Sequence, residues 1–94
     1  MLTARVKVGN PSGLHARPAA TFVKAAAAFR SQITIENLTS GSAPANAKRL
    51  LAVLGCGISR GHRIRIVVDG EDEAAALESL ESLARGGFGE LADR

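Results

Sequence analysis

Apolar and polar residues alternate in three stretches of the chain, and this alternation predicts β-strands. Residues 3–9, TARVKVG, alternate apolar with basic side chains, which is the period of a half-buried strand. The same period recurs in residues 31–39, SQITIENLT, and in residues 62–68, HRIRIVV. A turn at TSGS, followed by a short extended piece near residues 42–45, predicts a further, weak strand that forms a hairpin with the second.

Three other stretches have apolar residues at the three- and four-residue spacing of a helix. Residues 16–29 combine that spacing with an alanine-rich background, which favours helix. In NAKRLLAVLG, Asn46 stands where an N-cap would and Gly55 where a helix would stop, which predicts about two turns. Residues 71–87, EDEAAALESLESLARGG, begin acidic and end basic, in keeping with a helix dipole. The order β-α-β-β-α-β-α, with strands that keep one polar face, predicts an α+β sandwich of two layers.

The composition agrees with one small globular domain. The chain has 94 residues, of which 46% are hydrophobic, and no repeat or long linker divides it, so we expect a single domain over residues 1–94. Cys56 is the only cysteine and no charged leader precedes an apolar stretch, which indicates a cytoplasmic protein. No apolar run approaches the roughly 20 residues of a membrane-spanning helix, so no membrane insertion is expected.

The formal net charge of +3 is compatible with an acidic partner, a phosphate-bearing partner or nucleic acid, and does not by itself choose among them. If the alternating apolar residues face the helices, four basic side chains share the open face of the sheet: Arg5, Lys7, Arg63 and Arg65. A nucleic-acid or regulatory binding module that uses this basic face is therefore an alternative function. The chain has only three phenylalanines and no Trp or Tyr, which counts against nucleic acid because single-stranded bases bind by stacking on aromatic side chains.

The segment GLHARPAA, residues 13–20, places a histidine at the mouth of the first helix. Pro18 lacks an N–H group and fits best in the first turn of a helix, so the helix begins between Ala16 and Pro18. His15 then lies at or just before the N-cap, where unpaired N–H groups and the helix dipole attract an anion and disfavour a protonated ring. A neutral imidazole is a nucleophile, and a phosphoryl group on it would meet helix N–H groups and the Arg17 guanidinium.

Gly13, His15, Arg17 and Pro18 together resemble the phosphorylation-site motif of HPr, the family of histidine-containing phosphocarriers of the bacterial phosphotransferase system. The resemblance covers nearly the whole chain and implies an open-faced sandwich with three helices on one face of a four-stranded antiparallel sheet. It implies that His15 accepts a phosphoryl group at its pros nitrogen, Nδ1, from Enzyme I and passes it to an Enzyme IIA domain in sugar uptake. A nitrogen-branch regulatory phosphocarrier is the alternative within the family. Either function would make the chain a monomeric substrate of enzymes that itself carries no metal or cofactor. The chain would act alone or as one domain of a longer phosphotransferase.

The same resemblance assigns roles to further residues. It implies that Arg17 stabilises the phosphoryl group and that Ser12 and Ala16 join it in binding phosphate. It also implies a surface for docking partner proteins: Lys24, Lys48, Arg49, Leu50, Leu51 and Leu54. Independently of the family, the short helix in NAKRLLAVLG carries more apolar surface than one face can bury, so part of it is expected to stay exposed.

Arg49 stands where the resemblance places the family's regulatory serine. A guanidinium cannot be phosphorylated by the chemistry of a serine kinase, so serine-type regulation is not expected at this position. A regulatory kinase or another regulator is a further candidate partner. Arg49 and its neighbour Lys48 instead add positive charge to the docking surface.

Two other reactive residue types are expected to be structural. His62, at the start of a predicted strand, is predicted to be an exposed strand-end histidine, and the spacing of metal ligands is absent throughout the sequence. Cys56 is predicted to be a small buried residue in a loop rather than a reactive thiol.

Overall fold

The computed structural model describes residues 1–90 as a four-stranded sheet and three helices. In chain order these are β1 (Leu2–Lys7), α1 (Ala16–Ala27), β2 (Gln32–Asn37), β3 (Ala45–Asn46), α2 (Leu50–Gly55), β4 (Arg63–Asp69) and α3 (Glu73–Arg85). A turn of 3₁₀ helix follows at Gly87–Gly89. The order of elements is the predicted one, and residues 91–94 of the predicted domain lie outside the described residues. None of the helices within residues 1–90 is long and apolar enough to cross a membrane.

The sheet has the strand order β1-β4-β2-β3, and every neighbouring pair is antiparallel. Alternate residues of the three long strands are buried, as the sequence pattern predicts: Ala4, Val6, Ile33, Ile35, Ile64, Ile66 and Val68. Helix α3 packs against β1 and β4, and α1 packs against α2 and α3. The helices therefore cover one face of the sheet and leave the other open, which confirms the predicted fold class.

A residue from the tail that follows α3 closes the core. Phe88 is only 2% exposed and meets Phe22 of α1 edge to face, with ring centroids 5.9 Å apart and an interplanar angle of 83°, a favourable geometry for two aromatic rings. Phe88 has a φ of 55°, in the left-handed region that few residues other than glycine adopt. Burial of its ring offsets this cost and holds the tail beside the first turns of α1.

The boundaries around α2 differ from the sequence prediction. Asn46 is not an N-cap: it pairs with β2 in the sheet, and its Oδ1 accepts a hydrogen bond from the Lys48 N–H group at 2.9 Å. The strand β3 therefore covers Ala45–Asn46 rather than residues 42–45, and α2 covers only Leu50–Gly55. A capping asparagine and a turn asparagine both bond a nearby backbone N–H, so the residue type alone does not separate the two.

Candidate functional site

His15 is the N-cap residue of α1 and has extended backbone angles, with φ −123° and ψ 158°. Its side chain is exposed and makes no capping hydrogen bond to the helix. The structure thus places this residue where the helix signals predict. Because the ring neither caps the helix nor packs in the core, it is open to a second molecule at the end of α1, where helix N–H groups attract anions.

Residues 9–15, which lie between β1 and α1, are called the His15 loop, and buried groups hold this loop in place. Asn10 is fully buried, and its Nδ2 donates to the Gly13 carbonyl at 2.8 Å. Leu14 is also fully buried, and its N–H donates to the Ile58 carbonyl at 3.0 Å. The loop is therefore anchored in the core immediately before the histidine, whose side chain is turned to solvent.

The first residue of α1, Ala16, has a φ of 49°. Residues with a Cβ atom rarely adopt this left-handed conformation, which costs roughly 1 kcal/mol. The chain turns sharply here, between the anchored Leu14 and the regular part of the helix. Ala16 is exposed beside His15, so its predicted place next to a bound phosphate is sterically open.

A carboxylate that the sequence analysis did not find lies against the His15 loop. Glu90 accepts hydrogen bonds from the Ser12 N–H group at 2.9 Å, from the Ser12 hydroxyl at 2.6 Å and from Asn10 Nδ2 at 2.8 Å. The hydrogen bond from the Ser12 hydroxyl is the largest cause that lowers the pKa of the Glu90 carboxyl, followed by those from Asn10 and the Ser12 N–H. Ser12, predicted to bind phosphate, therefore has both of its donors engaged by Glu90.

Arg17 lines a cleft of about 400 Å³ between the start of α1 and the tail. The other lining residues are Pro18, Thr21, Phe88, Gly89 and Glu90. The Arg17 side chain is exposed, and among residues 1–90 it forms no ion pair. A guanidinium and a carboxylate thus share one cleft close to His15 in the chain, and an anion bound there would be attracted by the first and repelled by the second.

The predicted docking leucines form the α2 patch, defined as Leu50, Leu51 and Leu54. Leu51 is 82% exposed and Leu50 41%, whereas Leu54 packs partly against the core. Val53, on the same helix, is fully buried. The expectation that part of this helix stays exposed is therefore confirmed, and the exposed part is apolar.

The three predicted docking cations differ in their surroundings. Lys24 and Arg49 are exposed. Lys48 is half-buried, and its Nζ donates to the Phe29 carbonyl at 2.7 Å, so it links the segment before α2 to the residues that follow α1. Lys24 lies on α1, which packs against α2, and Lys48 and Arg49 immediately precede the α2 patch.

His62 is half-buried rather than exposed, which corrects the sequence prediction. Its Nδ1 is 3.0 Å from Asn37 Nδ2 and 3.0 Å from the Ser59 N–H group. Both neighbours are donors, so Nδ1 accepts from both. The ring thereby supports the loop that carries Ile58, whose carbonyl holds the His15 loop in place, and the role of His62 in this arrangement is structural.

Cys56 is buried and unpaired. Its Sγ lies 3.7 Å from the Ala52 carbonyl and 3.9 Å from the Ile35 carbonyl, which confirms the predicted small buried residue. Within residues 1–90, no group of three His, Cys, Asp or Glu side chains is placed to hold a metal ion.

Comparison with known families decides where this chain belongs. The family model described as the phosphotransferase-system HPr component phosphorylation site matches residues 2–85. The chain belongs to the HPr family. This membership confirms the resemblance of the GLHARPAA motif, and it identifies the chain as an HPr-type phosphocarrier protein of the phosphotransferase system.

Relatives with known sequences and structures agree with the HPr assignment. The chain is 45% identical to the phosphocarrier protein HPr of Streptomyces coelicolor over 91 residues, 97% of this chain and 96% of that protein. Its fold matches the crystal structure of an HPr from Thermoanaerobacter tengcongensis with a TM-score of 0.89 and 37% identity, covering 96% of this chain and 98% of the other.

Longer HPr-containing proteins are also similar. The chain is 43% identical to the multiphosphoryl transfer protein of Haemophilus influenzae over 83 residues, and these residues make up 88% of this chain. It spans only 17% of that protein, and 24% of the one from Salmonella typhimurium. The HPr fold therefore occurs both in proteins of this length and in much longer ones.

Proposed function

We propose that this chain accepts a phosphoryl group on His15 Nδ1 from Enzyme I and passes it to a histidine of an Enzyme IIA domain in sugar uptake. The observation that carries the proposal is the exposed imidazole at the N-cap of α1, which makes no capping hydrogen bond. A carrier needs a nucleophile that two different proteins can reach in turn. An uncommitted ring at the surface meets that need, whereas the half-buried His62 does not.

The proposed transfer exchanges one nitrogen–phosphorus bond for another. The lone pair of His15 Nδ1 forms a bond to phosphorus while the bond between phosphorus and the Enzyme I histidine breaks, and its electron pair returns to the Enzyme I ring. The proton on Nε2 of His15 leaves once the ring is phosphorylated, and the Enzyme I histidine regains one. Transfer to Enzyme IIA repeats this exchange with His15 as the donor.

Position and charge supply the stabilisation that this step requires. The exposed Arg17 lies two residues after His15 and can offer a charge-assisted hydrogen bond to the phosphoryl oxygens. An exposed helix N-terminus contributes about 0.3–1 kcal/mol to a bound anion. Such modest stabilisation suits a group that must be given up again, because deep stabilisation would slow its release.

The α2 patch, Lys24 and Arg49 are proposed to dock these partners. An apolar centre rimmed by cations fits a transient interface with an acidic protein surface. Arg49 is exposed, so we propose that it contributes charge where other family members carry a regulatory serine. A nitrogen-branch carrier would use the same chemistry, and the Enzyme IIA that takes the group distinguishes the two branches. The unpaired Cys56 fits a reducing cytoplasm as the place of this exchange.

The experiment compares the native chain with His15→Ala and His62→Gln after incubation with Enzyme I, phosphoenolpyruvate and the magnesium that Enzyme I needs. We expect an acid-labile, alkali-stable phosphoryl adduct on the native chain and on His62→Gln, and none on His15→Ala. His62→Gln is the matched control because it removes the other histidine. The same phosphoryl adduct on His15→Ala, or the absence of an adduct on the native chain, would contradict the proposal.

A further inference from the structure

The His15 loop already binds an anion that belongs to the chain itself. Both donors of Ser12, its N–H group and its hydroxyl, point to the Glu90 carboxylate, at 2.9 Å and 2.6 Å. Asn10 adds a third hydrogen bond from within the same loop at 2.8 Å. A carboxylate and a phosphoryl group both bind through such donors, so Glu90 occupies groups that a phosphoryl group on this loop could also use.

The position of Glu90 is fixed by the residues of the tail that precede it. Two residues before it, Phe88 is buried against Phe22. The Glu90 N–H group donates to the Gly87 carbonyl at 2.9 Å, which closes the turn between them. Packing of Phe88 in the core therefore holds the Glu90 carboxylate beside the His15 loop. Replacing this carboxylate with a neutral group changes the local electric field but leaves the Phe88 packing unchanged.

Glu90 also shares a cleft with Arg17. A phosphoryl group carries a charge of about −1.5 to −2 at neutral pH, and next to a carboxylate it is destabilised by repulsion between like charges. The phosphoryl group and Glu90 would both be drawn to the Arg17 guanidinium. The hydrogen bonds to Ser12 and the shared cleft with Arg17 thus both set the carboxylate against a phosphoryl group on the same loop.

We propose that Glu90 is an internal competitor of the phosphoryl group on His15: it binds Ser12 in the unmodified chain, and phosphorylation and the Glu90–Ser12 contact weaken each other. This inference rests on the proposed function of His15. Because coupling between two bound groups is reciprocal, a carboxylate displaced by the phosphoryl group also makes that group easier to give away. Glu90 is thus a positioning residue that raises the tendency of the phosphorylated chain to donate.

A competition experiment measures this coupling directly. Phosphorylated native chain is mixed with unmodified Glu90→Gln and a catalytic amount of Enzyme I, so that each transfer breaks one nitrogen–phosphorus bond and forms another until equilibrium. We expect Glu90→Gln to hold the phosphoryl group about three- to tenfold more than the native chain, as expected for like charges several ångströms apart near a surface. Glu78→Gln, which removes an exposed carboxylate of α3, is the matched control and should share the group equally with the native chain.

The outcomes separate this inference from the function on which it rests. If the native chain takes no phosphoryl group, the proposed function fails and the inference falls with it. If the native chain is phosphorylated but Glu90→Gln and Glu78→Gln behave alike, only the inference is overturned. Glutamine keeps an acceptor oxygen for Ser12, and equal melting temperatures of the two variants would exclude loss of fold as the cause of a difference.

A second measurement tests the contact itself. Amide hydrogen exchange at Ser12, followed by NMR, should become faster when the native chain is phosphorylated, because the hydrogen bond to Glu90 is lost. The same amide in Glu90→Gln should respond less to phosphorylation. A purely structural clamp would leave the exchange rate of Ser12 independent of the phosphoryl group, and that result would overturn the proposal.

Discussion

At the scale of single residues, Gly13 allows two loops to meet without a side chain between them. It has a φ of 59°, and an added Cβ atom would lie 2.5 Å from the Ile58 carbonyl oxygen and 2.7 Å from the Ser59 Cα atom. The next residue, Leu14, donates its N–H to that same carbonyl. The close approach of the backbones therefore sets the position from which His15 projects.

Gly13→Ala should lower the free energy of unfolding by about 2–4 kcal/mol, because it combines a left-handed backbone with a clash against backbone atoms. Gly41→Ala is the matched control: its φ is 79°, but nothing lies within 4 Å of an added Cβ atom, so it should cost only about 1 kcal/mol. Urea unfolding measures both. Equal losses in the two variants would contradict the close approach at Gly13.

At the scale of elements, Asp72 joins the start of α3 to the turn between α1 and β2. Its carboxylate accepts hydrogen bonds from the Arg30 N–H group at 2.8 Å, from the Ser31 N–H group at 3.0 Å and from the Ser31 hydroxyl. The bond from the Ser31 hydroxyl is the largest cause that lowers the pKa of Asp72 from 3.8 to about 2. Asp72 is thus the N-cap residue of α3 but uses its side chain to bind a different element.

The lowered pKa of Asp72 makes stability depend on pH in acid. As the pH falls from about 4 towards about 2, the carboxyl is protonated first in the unfolded chain, which then binds more protons than the folded one, so stability decreases. The contribution is fully present above about pH 4. Thermal unfolding between pH 2 and 6 should show a smaller dependence for Asp72→Asn than for the native chain. Glu71→Gln, an exposed acidic neighbour, should keep the native profile, and a native profile in Asp72→Asn would refute the assignment.

The α2 helix carries the proposed docking residue Leu51 and the core residue Val53 on opposite sides. Leu51 is 82% exposed and Val53 is fully buried. Leu51→Ala should leave the free energy of unfolding within about 0.5 kcal/mol of the native value and weaken binding to Enzyme I about tenfold, as expected for an apolar contact at the centre of an interface. Val53→Ala should instead cost about 2 kcal/mol of stability. Calorimetric titration and urea unfolding measure the two effects, and unchanged binding by Leu51→Ala would remove the α2 patch from the interface.

At the scale of the whole molecule, the open face of the sheet carries like charges in direct register. Arg5 lies opposite Arg65, and Lys7 lies opposite Arg63, on the neighbouring strands β1 and β4. Among residues 1–90, Arg65 alone of these four has an acidic partner, with its Nε 3.3 Å from Glu36 Oε1. Like charges directly opposite each other destabilise a sheet. The face is basic, as the sequence predicts. The nucleic-acid alternative stays a prediction. Phe22 and Phe88 lie in the core, so neither ring can stack on bases at this face.

The native chain should therefore gain stability when salt is added at low ionic strength, because screening weakens the repulsion on this face. Lys7→Glu should raise the free energy of unfolding by about 0.5 kcal/mol and reduce the response to salt. Lys24→Glu, at an exposed position of α1, carries the same change of charge and should show neither effect. Melting temperatures over a series of salt concentrations test this, and a melting temperature that falls with the first additions of salt would contradict it.

Local signals in the sequence were sufficient for most of the fold and for the centre of the site. Alternation located β1, β2 and β4, helical spacing located α1 and α3, and Pro18 located the start of α1 and with it His15. These features depend on dihedral preferences and on burial of one face, which act over a few residues. The same local signals misplaced Asn46, because its pairing with β2 outweighed its preference for a helix cap.

Tertiary structure alone decided which distant groups meet at the site. Glu90 contacts Ser12, 78 positions earlier in the sequence, because Phe88 packs on Phe22 and brings the tail back to α1. No periodicity in the sequence of the tail predicts that contact. His62 likewise becomes half-buried because Asn37, on a neighbouring strand, and Ser59 converge on its ring. Such contacts are set by how the helices pack on the sheet. His15 could therefore be found from its neighbours in sequence, whereas Glu90, which contacts the His15 loop, could be found only from its neighbours in space.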